Sequence, residues 1–145
     1  ACLADMRIAS SSAKFGVTFL KLGLVPGDGG TWLLPRGIGD ARAAELFFTG
    51  DVIDAATAQE WGLVSRVVEP DALMEEAQAL AAKVAAMPPA ALRQTKMLLR
   101  QSRGLSYDGA LELAANTQGL MHHTADHAEG VAALLEKRGA DFRGE

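Results

Sequence analysis

The spacing of apolar residues divides the chain into a mixed first part and a helical second part. From Asp5 to Ser10, Met6 and Ile8 alternate with Arg7, the period of a short strand, and Ser10-Ser11-Ser12 closes it as a turn. Lys14 to Leu24 is apolar with β-branched and aromatic residues, which predicts a second short strand or an extended loop. Trp32-Leu33-Leu34 reads as the first turn of a helix. From Asp40, residues Ala41, Ala44, Leu46 and Phe48 offer an apolar helical face that Thr49-Gly50-Asp51 stops. Asp51-Val52-Ile53 is an extended link, and Asp54 caps a helix through Trp61. Gly62 ends that helix before the strand-like run Leu63 to Val68.

After Pro70 the period is helical throughout. With Asp71 as expected N-cap, Leu73, Ala77, Leu80, Val84 and Met87 recur on one face until Pro88-Pro89. Pro89 suits the first turn of the next helix, where Leu92, Met97 and Leu98 lie to one side while Arg93, Lys96 and Arg100 face water. Two more helices are expected, over 107–119 and 124–138, with a turn near Met121 to His123. Leu111, Leu113, Leu120, Met121, Val131 and Leu134 are more apolar surface than one helix hairpin can bury, which predicts contacts with further subunits. Trp32 and Trp61 are expected in the core.

Composition narrows the field of partners. The 145 residues carry a formal net charge of −4 with acidic and basic residues interspersed, so neither a nucleic-acid footprint nor a polybasic membrane patch is present. No apolar run approaches a membrane span. A single cysteine, Cys2, cannot form an internal disulfide, in keeping with the cytoplasm.

The stretch 23–36, Gly-Leu-Val-Pro-Gly-Asp-Gly-Gly-Thr-Trp-Leu-Leu-Pro-Arg, concentrates the chemistry. Pro26 fixes its own φ, and Gly27, Gly29 and Gly30 allow backbone shapes and close approaches that a β-carbon forbids. Asp28 therefore sits on an unusual turn beside a helix start and an apolar wall. It is a candidate acid or base, or simply a helix cap. His123 and His127 have the i, i+4 spacing that lets two imidazoles share a metal, with His122, Asp126 and Asp108 nearby. No third ligand is fixed by the pattern, so no metal site is assigned. Ser10 to Ser12 lack the glycines of a nucleophile elbow.

Five segments taken in order carry a family resemblance: Ala-Asp-Met-Arg-Ile-Ala at 4–9, the stretch 23–36, Phe-Thr-Gly-Asp at 48–51, Glu-Trp-Gly-Leu-Val-Ser at 60–65, and Glu-Gly-Val-Ala-Ala-Leu-Leu-Glu-Lys-Arg at 129–138. They resemble the C-terminal half of the enoyl-CoA hydratase/isomerase (crotonase) family. The resemblance implies an α/β fold, with the C-terminal part of a ββα spiral core over 1–70 and a helical trimerisation region over 71–145. It also implies an acyl-CoA thioester as substrate with no separate cofactor, a homotrimer or hexamer, and a place in fatty acid metabolism.

Site residues follow from the same resemblance. The family's oxyanion-hole amides and the first hydratase glutamate fall before Ala1, and the second hydratase glutamate aligns with Phe19, which cannot transfer a proton. Asp28 falls where dienoyl-CoA isomerases place a catalytic aspartate. Phe19, Pro26, Gly27 and Trp32 are the expected acyl-binding residues around it, and Lys137 matches a lysine near the CoA nucleotide. The adenine-holding phenylalanines align with Gln118 and Leu134. The expected activity is double-bond isomerisation through a thioester enolate with Asp28 as acid/base. The alternatives are an enoyl-CoA hydratase or a non-catalytic oligomerisation module. The first strand is expected to pair with strands encoded upstream, with Leu3, Met6 and Ile8 uncovered without them.

Overall fold

The computed structural model describes residues 1–145. They form two compact units, Ala1–Ala79 and Leu80–Glu145, so the division falls inside helix α4 (Leu73–Ala85).

The first unit holds four short strands, β1 (Ile8–Ser10), β2 (Lys14–Gly16), β3 (Val52–Asp54) and β4 (Arg66–Val68). β1 runs parallel to β4, with Ala9 opposite Val67, and β2 runs antiparallel to β3, with Phe15 opposite Ile53. One edge of β1 thus pairs within this chain, a pairing that sequence periodicity cannot see because it joins segments far apart. Arg7 reinforces it. Its Nε donates to the Leu63 carbonyl and its Nη1 to Ala4 O (2.9 Å), while its own carbonyl accepts from Ser65 N (2.9 Å) and Ser65 Oγ (2.8 Å). Leu3 and Met6 are exposed.

Between the strand pairs lie a 3-10 turn (Phe19–Leu22), α1 (Gly30–Ile38), α2 (Asp40–Thr49) and α3 (Ala55–Glu60). Leu34 and Ile38 of α1 meet Ala43, Leu46 and Phe47 of α2 in a core completed by Ala9, Ala55, Ala58, Leu63 and Val64. The near-total burial of Ala43, Ala55 and Ala58 marks where the backbones approach closely. Asp54 caps α3 as expected, accepting from Thr57 N at 2.8 Å, and that bond holds its carboxyl below the usual range. Trp32 departs from expectation. It stands on the outer face of α1, 51 % exposed, with the Arg36 guanidinium 3.9 Å above its ring, because the inward positions of that helix belong to Leu34 and Ile38. Trp61 is half-buried against the core.

α4 starts from a 3-10 turn, Pro70–Ala72, and Asp71 lies inside that turn instead of capping the helix. In the second unit, α5 (Pro89–Gln101) begins at Pro89 and packs on α6 (Tyr107–Met121), capped by Ser106 Oγ accepting from Gly109 N. α7 (Ala125–Glu136) is capped by Thr124 Oγ1, which accepts from His127 N at 3.1 Å. Leu111, Leu120 and Leu134 are exposed by 56, 68 and 78 %. No helix is long and apolar enough to cross a membrane.

Candidate functional site

Asp28 is held by the turn that precedes α1. Gly29 sits at φ 79°, ψ 5°, a left-handed conformation that L side chains resist, and the chain enters the helix at Gly30. Gly30 N donates to Asp28 Oδ1 at 2.9 Å. A β-carbon built on Gly30 would stand 2.9 Å from that same oxygen, so this glycine is what allows the carboxylate to fold over the helix start. The free N–H groups of the first turn favour negative charge there. Gly27, by contrast, takes no left-handed conformation and has open space where a side chain would project.

The same carboxylate borders a cavity of about 450 Å³ in the first unit, whose walls include Phe15, Phe19, Leu33, Leu46, Phe47 and Leu63, with Cys2 and Lys14 at its margin. Asp28 is itself exposed, and a carboxylate at the edge of an apolar cavity, beside a helix start, can accept or deliver a proton at a substrate held there. Phe19 and Asp28 are therefore brought together. Pro26 is not part of this cavity. It lines a separate apolar groove of about 540 Å³ with Leu20, Val25, Pro35 and Phe48, while Trp32 lines neither.

Lys137 belongs to the second unit, where it ends α7 at φ 56°, ψ 40° with an exposed side chain. Gln118 lines a small cavity of about 160 Å³ together with His122, Asp126 and His127. The histidine pairing is not the one that helical spacing suggests. His122 Nδ1 lies 3.1 Å from His127 Nε2 with the rings edge to face, because the turn after α6 carries His122 back over the first turn of α7. No group of three His, Cys, Asp or Glu side chains is arranged to hold a metal.

Asp126 is buried and committed elsewhere. Its Oδ1 and Oδ2 accept from Arg143 N (2.7 Å) and Gly144 N (2.9 Å), and its own N–H donates to Glu145 O (3.2 Å). One turn further along, Glu129 receives a two-pronged bond from Arg138 and the amide of Asp141. Together these carboxylates strap the last residues back along α7. Sequence reasoning missed the strap, since its partners lie across a chain reversal and no local spacing announces them.

The fold is that of crotonase-like α/β proteins. The enoyl-CoA hydratase from Bacillus anthracis superposes with a TM-score of 0.97 at 39 % identity, over 99 % of this chain and 56 % of that one. Residues 1–145 match the family described as Enoyl-CoA hydratase/isomerase, and the chain belongs to that family. It is 42 % identical over 141 residues to the 1,2-epoxyphenylacetyl-CoA isomerase of Escherichia coli K12, covering 97 % of this chain and 54 % of that protein. It is 41 % identical over 138 residues to the crotonyl-CoA hydratase of Syntrophomonas wolfei, covering 95 % of this chain and 53 % of that one. The chain thus spans about half the length of these relatives.

Proposed function

We propose that the full-length protein is a cytoplasmic enzyme that shifts a double bond in an acyl-CoA thioester through an enolate, with Asp28 moving the proton. One observation carries this reading: Asp28 borders the apolar cavity while its turn fixes the carboxylate at a helix start. Phe19 stands in the same wall and offers no second acid for water addition. In this reading backbone amides outside these residues bind the thioester oxygen, each worth about 3–4 kcal/mol to the transition state. Phe19 borders the acyl group, Pro26, Gly27 and Trp32 belong to the surrounding turn and helix, and Lys137 meets the phosphate end of CoA. The CoA thioester is substrate, so no separate cofactor is invoked.

Water addition to an enoyl-CoA is the second reading, favoured by the relatives named as hydratases. The exposed leucines of α6 and α7 support a homotrimer or a pair of stacked trimers. The test is Asp28→Asn in the full-length protein. Turnover should fall by roughly 10²-fold or more with little change in KM. Turnover near that of the parent would return Asp28 to the part of a turn-forming residue. Product analysis in ¹⁸O-labelled water separates the two readings, because only hydration adds the label.

A further inference from the structure

α7 ends on a reversal made by a residue with a side chain. Lys137 is the only non-glycine residue with positive φ in the chain, a conformation its β-carbon disfavours. Lys137 N donates to Leu134 O and Arg138 N to Ala133 O, the double closure that usually has glycine at this position. What keeps the reversal in place lies just beyond it. Arg138 Nη1 and Nη2 donate to Glu129 Oε1 and Oε2 at 2.5 and 2.8 Å, and Arg138 Nε donates to Glu136 Oε2 at 2.6 Å. Glu129 Oε1 also accepts from Asp141 N at 2.9 Å. The parallel two-pronged bond gives direction as well as attraction, which a lysine in place of Arg138 could not supply.

The two adjacent cations therefore have different duties. The guanidinium of Arg138 is engaged by the carboxylates of Glu129 and Glu136 and by the Gly139 carbonyl, whereas Lys137 is exposed and no ion pair engages its ammonium. Hydrogen bonds from Arg138 and from the Asp141 amide hold the Glu129 carboxyl at about 2, so the clamp is fully charged at neutral pH.

We propose that the Glu129–Arg138 clamp is a positioning device: it fixes the strained backbone of Lys137 and so aims its ammonium at a phosphate of the thioester carrier. The proposal rests on the reading of Lys137 as a phosphate contact. Neither Glu129 nor Arg138 touches substrate. They act through Lys137, which adjoins Arg138 in the chain.

The experiment compares two thioesters of the same acyl group in the full-length protein, one on CoA and one on pantetheine, which lacks the nucleotide phosphates. Lys137→Ala should raise KM for the CoA thioester roughly three- to tenfold and leave kcat and the pantetheine KM unchanged. Glu129→Gln should reproduce that pattern, and the double variant should be no worse than Lys137→Ala alone. Glu129→Asp should restore part of the loss. If Glu129→Gln fails to fold, Arg138→Lys carries the same expectation, because it retains the charge and loses the two-pronged bond. A CoA-specific effect for Lys137→Ala with none for Glu129→Gln overturns the clamp and leaves Lys137 as a phosphate contact. Equal KM increases for both thioesters in Glu129→Gln also overturn it, because they mark a general loss of structure. No effect of Lys137→Ala removes the phosphate contact, and the clamp's role with it.

Discussion

Replacing Asp126 by alanine isolates the energetic worth of the C-terminal strap. Asp126 is 4 % exposed, and both its oxygens accept main-chain amides, Arg143 N at 2.7 Å and Gly144 N at 2.9 Å. Hydrogen bonds to a charged acceptor are worth about 1.5–3 kcal/mol each. Residue 143 is exposed and 144 half-buried, so water can satisfy part of what is lost. The expected cost of Asp126→Ala is therefore about 2–4 kcal/mol, below the sum of the two bonds. Asp126→Asn keeps one acceptor and turns a donor toward the other amide, for a cost of about 1–3 kcal/mol. Amide hydrogen exchange reads the effect locally, and the protection of residues 143 and 144 should fall by roughly 30- to 1,000-fold in Asp126→Ala. Where the strap unfolds with the rest of its unit, Leu80–Glu145, Tm should drop by about 8–32 °C. Unchanged protection at both amides would refute the assignment of these bonds as the strap's anchor.

Three further outcomes follow from the geometry. Lys137→Gly should stabilise the protein by about 0.5–1 kcal/mol in chemical denaturation, since glycine adopts the left-handed conformation without strain; a destabilised variant would show that the lysine stem contributes packing. Glu129 has its folded carboxyl lowered from 4.5 to about 2, so the stability it supplies is present above pH 4.5 and is lost as pH falls from there through about 2. The protection factor of the Asp141 amide, its rate referred to the intrinsic exchange rate at each pH, should fall across that window, and Glu129→Gln should abolish this pH dependence. Sedimentation of the full-length protein at micromolar concentration should give a trimer or hexamer, and a monomer would require another explanation for the exposed Leu111, Leu120 and Leu134.

Local signals in the sequence were the ones that carried over into structure. Asp54 as a cap, Pro89 at a first turn and the glycine turn around Asp28 depend on neighbours a few residues away, and each is found where the pattern puts it. The helical period likewise located α5 to α7. What spacing could not reach were contacts made across the fold. Trp32 faces outward because two other α1 positions fill the core, a choice that hydrophobicity alone does not make. His122 replaced His123 as the partner of His127 because the turn, not the helix period, sets their meeting. Asp126 was grouped with the histidines as a possible ligand, yet its carboxylate is taken by amides from the chain's last residues. The aspartate at the cavity was legible from its turn, while the apolar walls opposite it, Phe15 and Leu63, come from elements that only folding brings near.

The parallel pairing of β1 with β4 also sets an order of events during synthesis. Ile8 leaves the ribosome 58 residues ahead of its partner Arg66, so this pairing waits while α1, α2 and α3 emerge between them. At roughly 5–20 residues per second that wait is on the order of seconds, long compared with the microseconds in which the helices can form. Closing so large a loop costs conformational entropy that only the later contacts repay. The pairing of β1 with β4 and the bond from Arg7 to the Leu63 carbonyl therefore form only after the intervening helices have been made, however early β1 itself emerges.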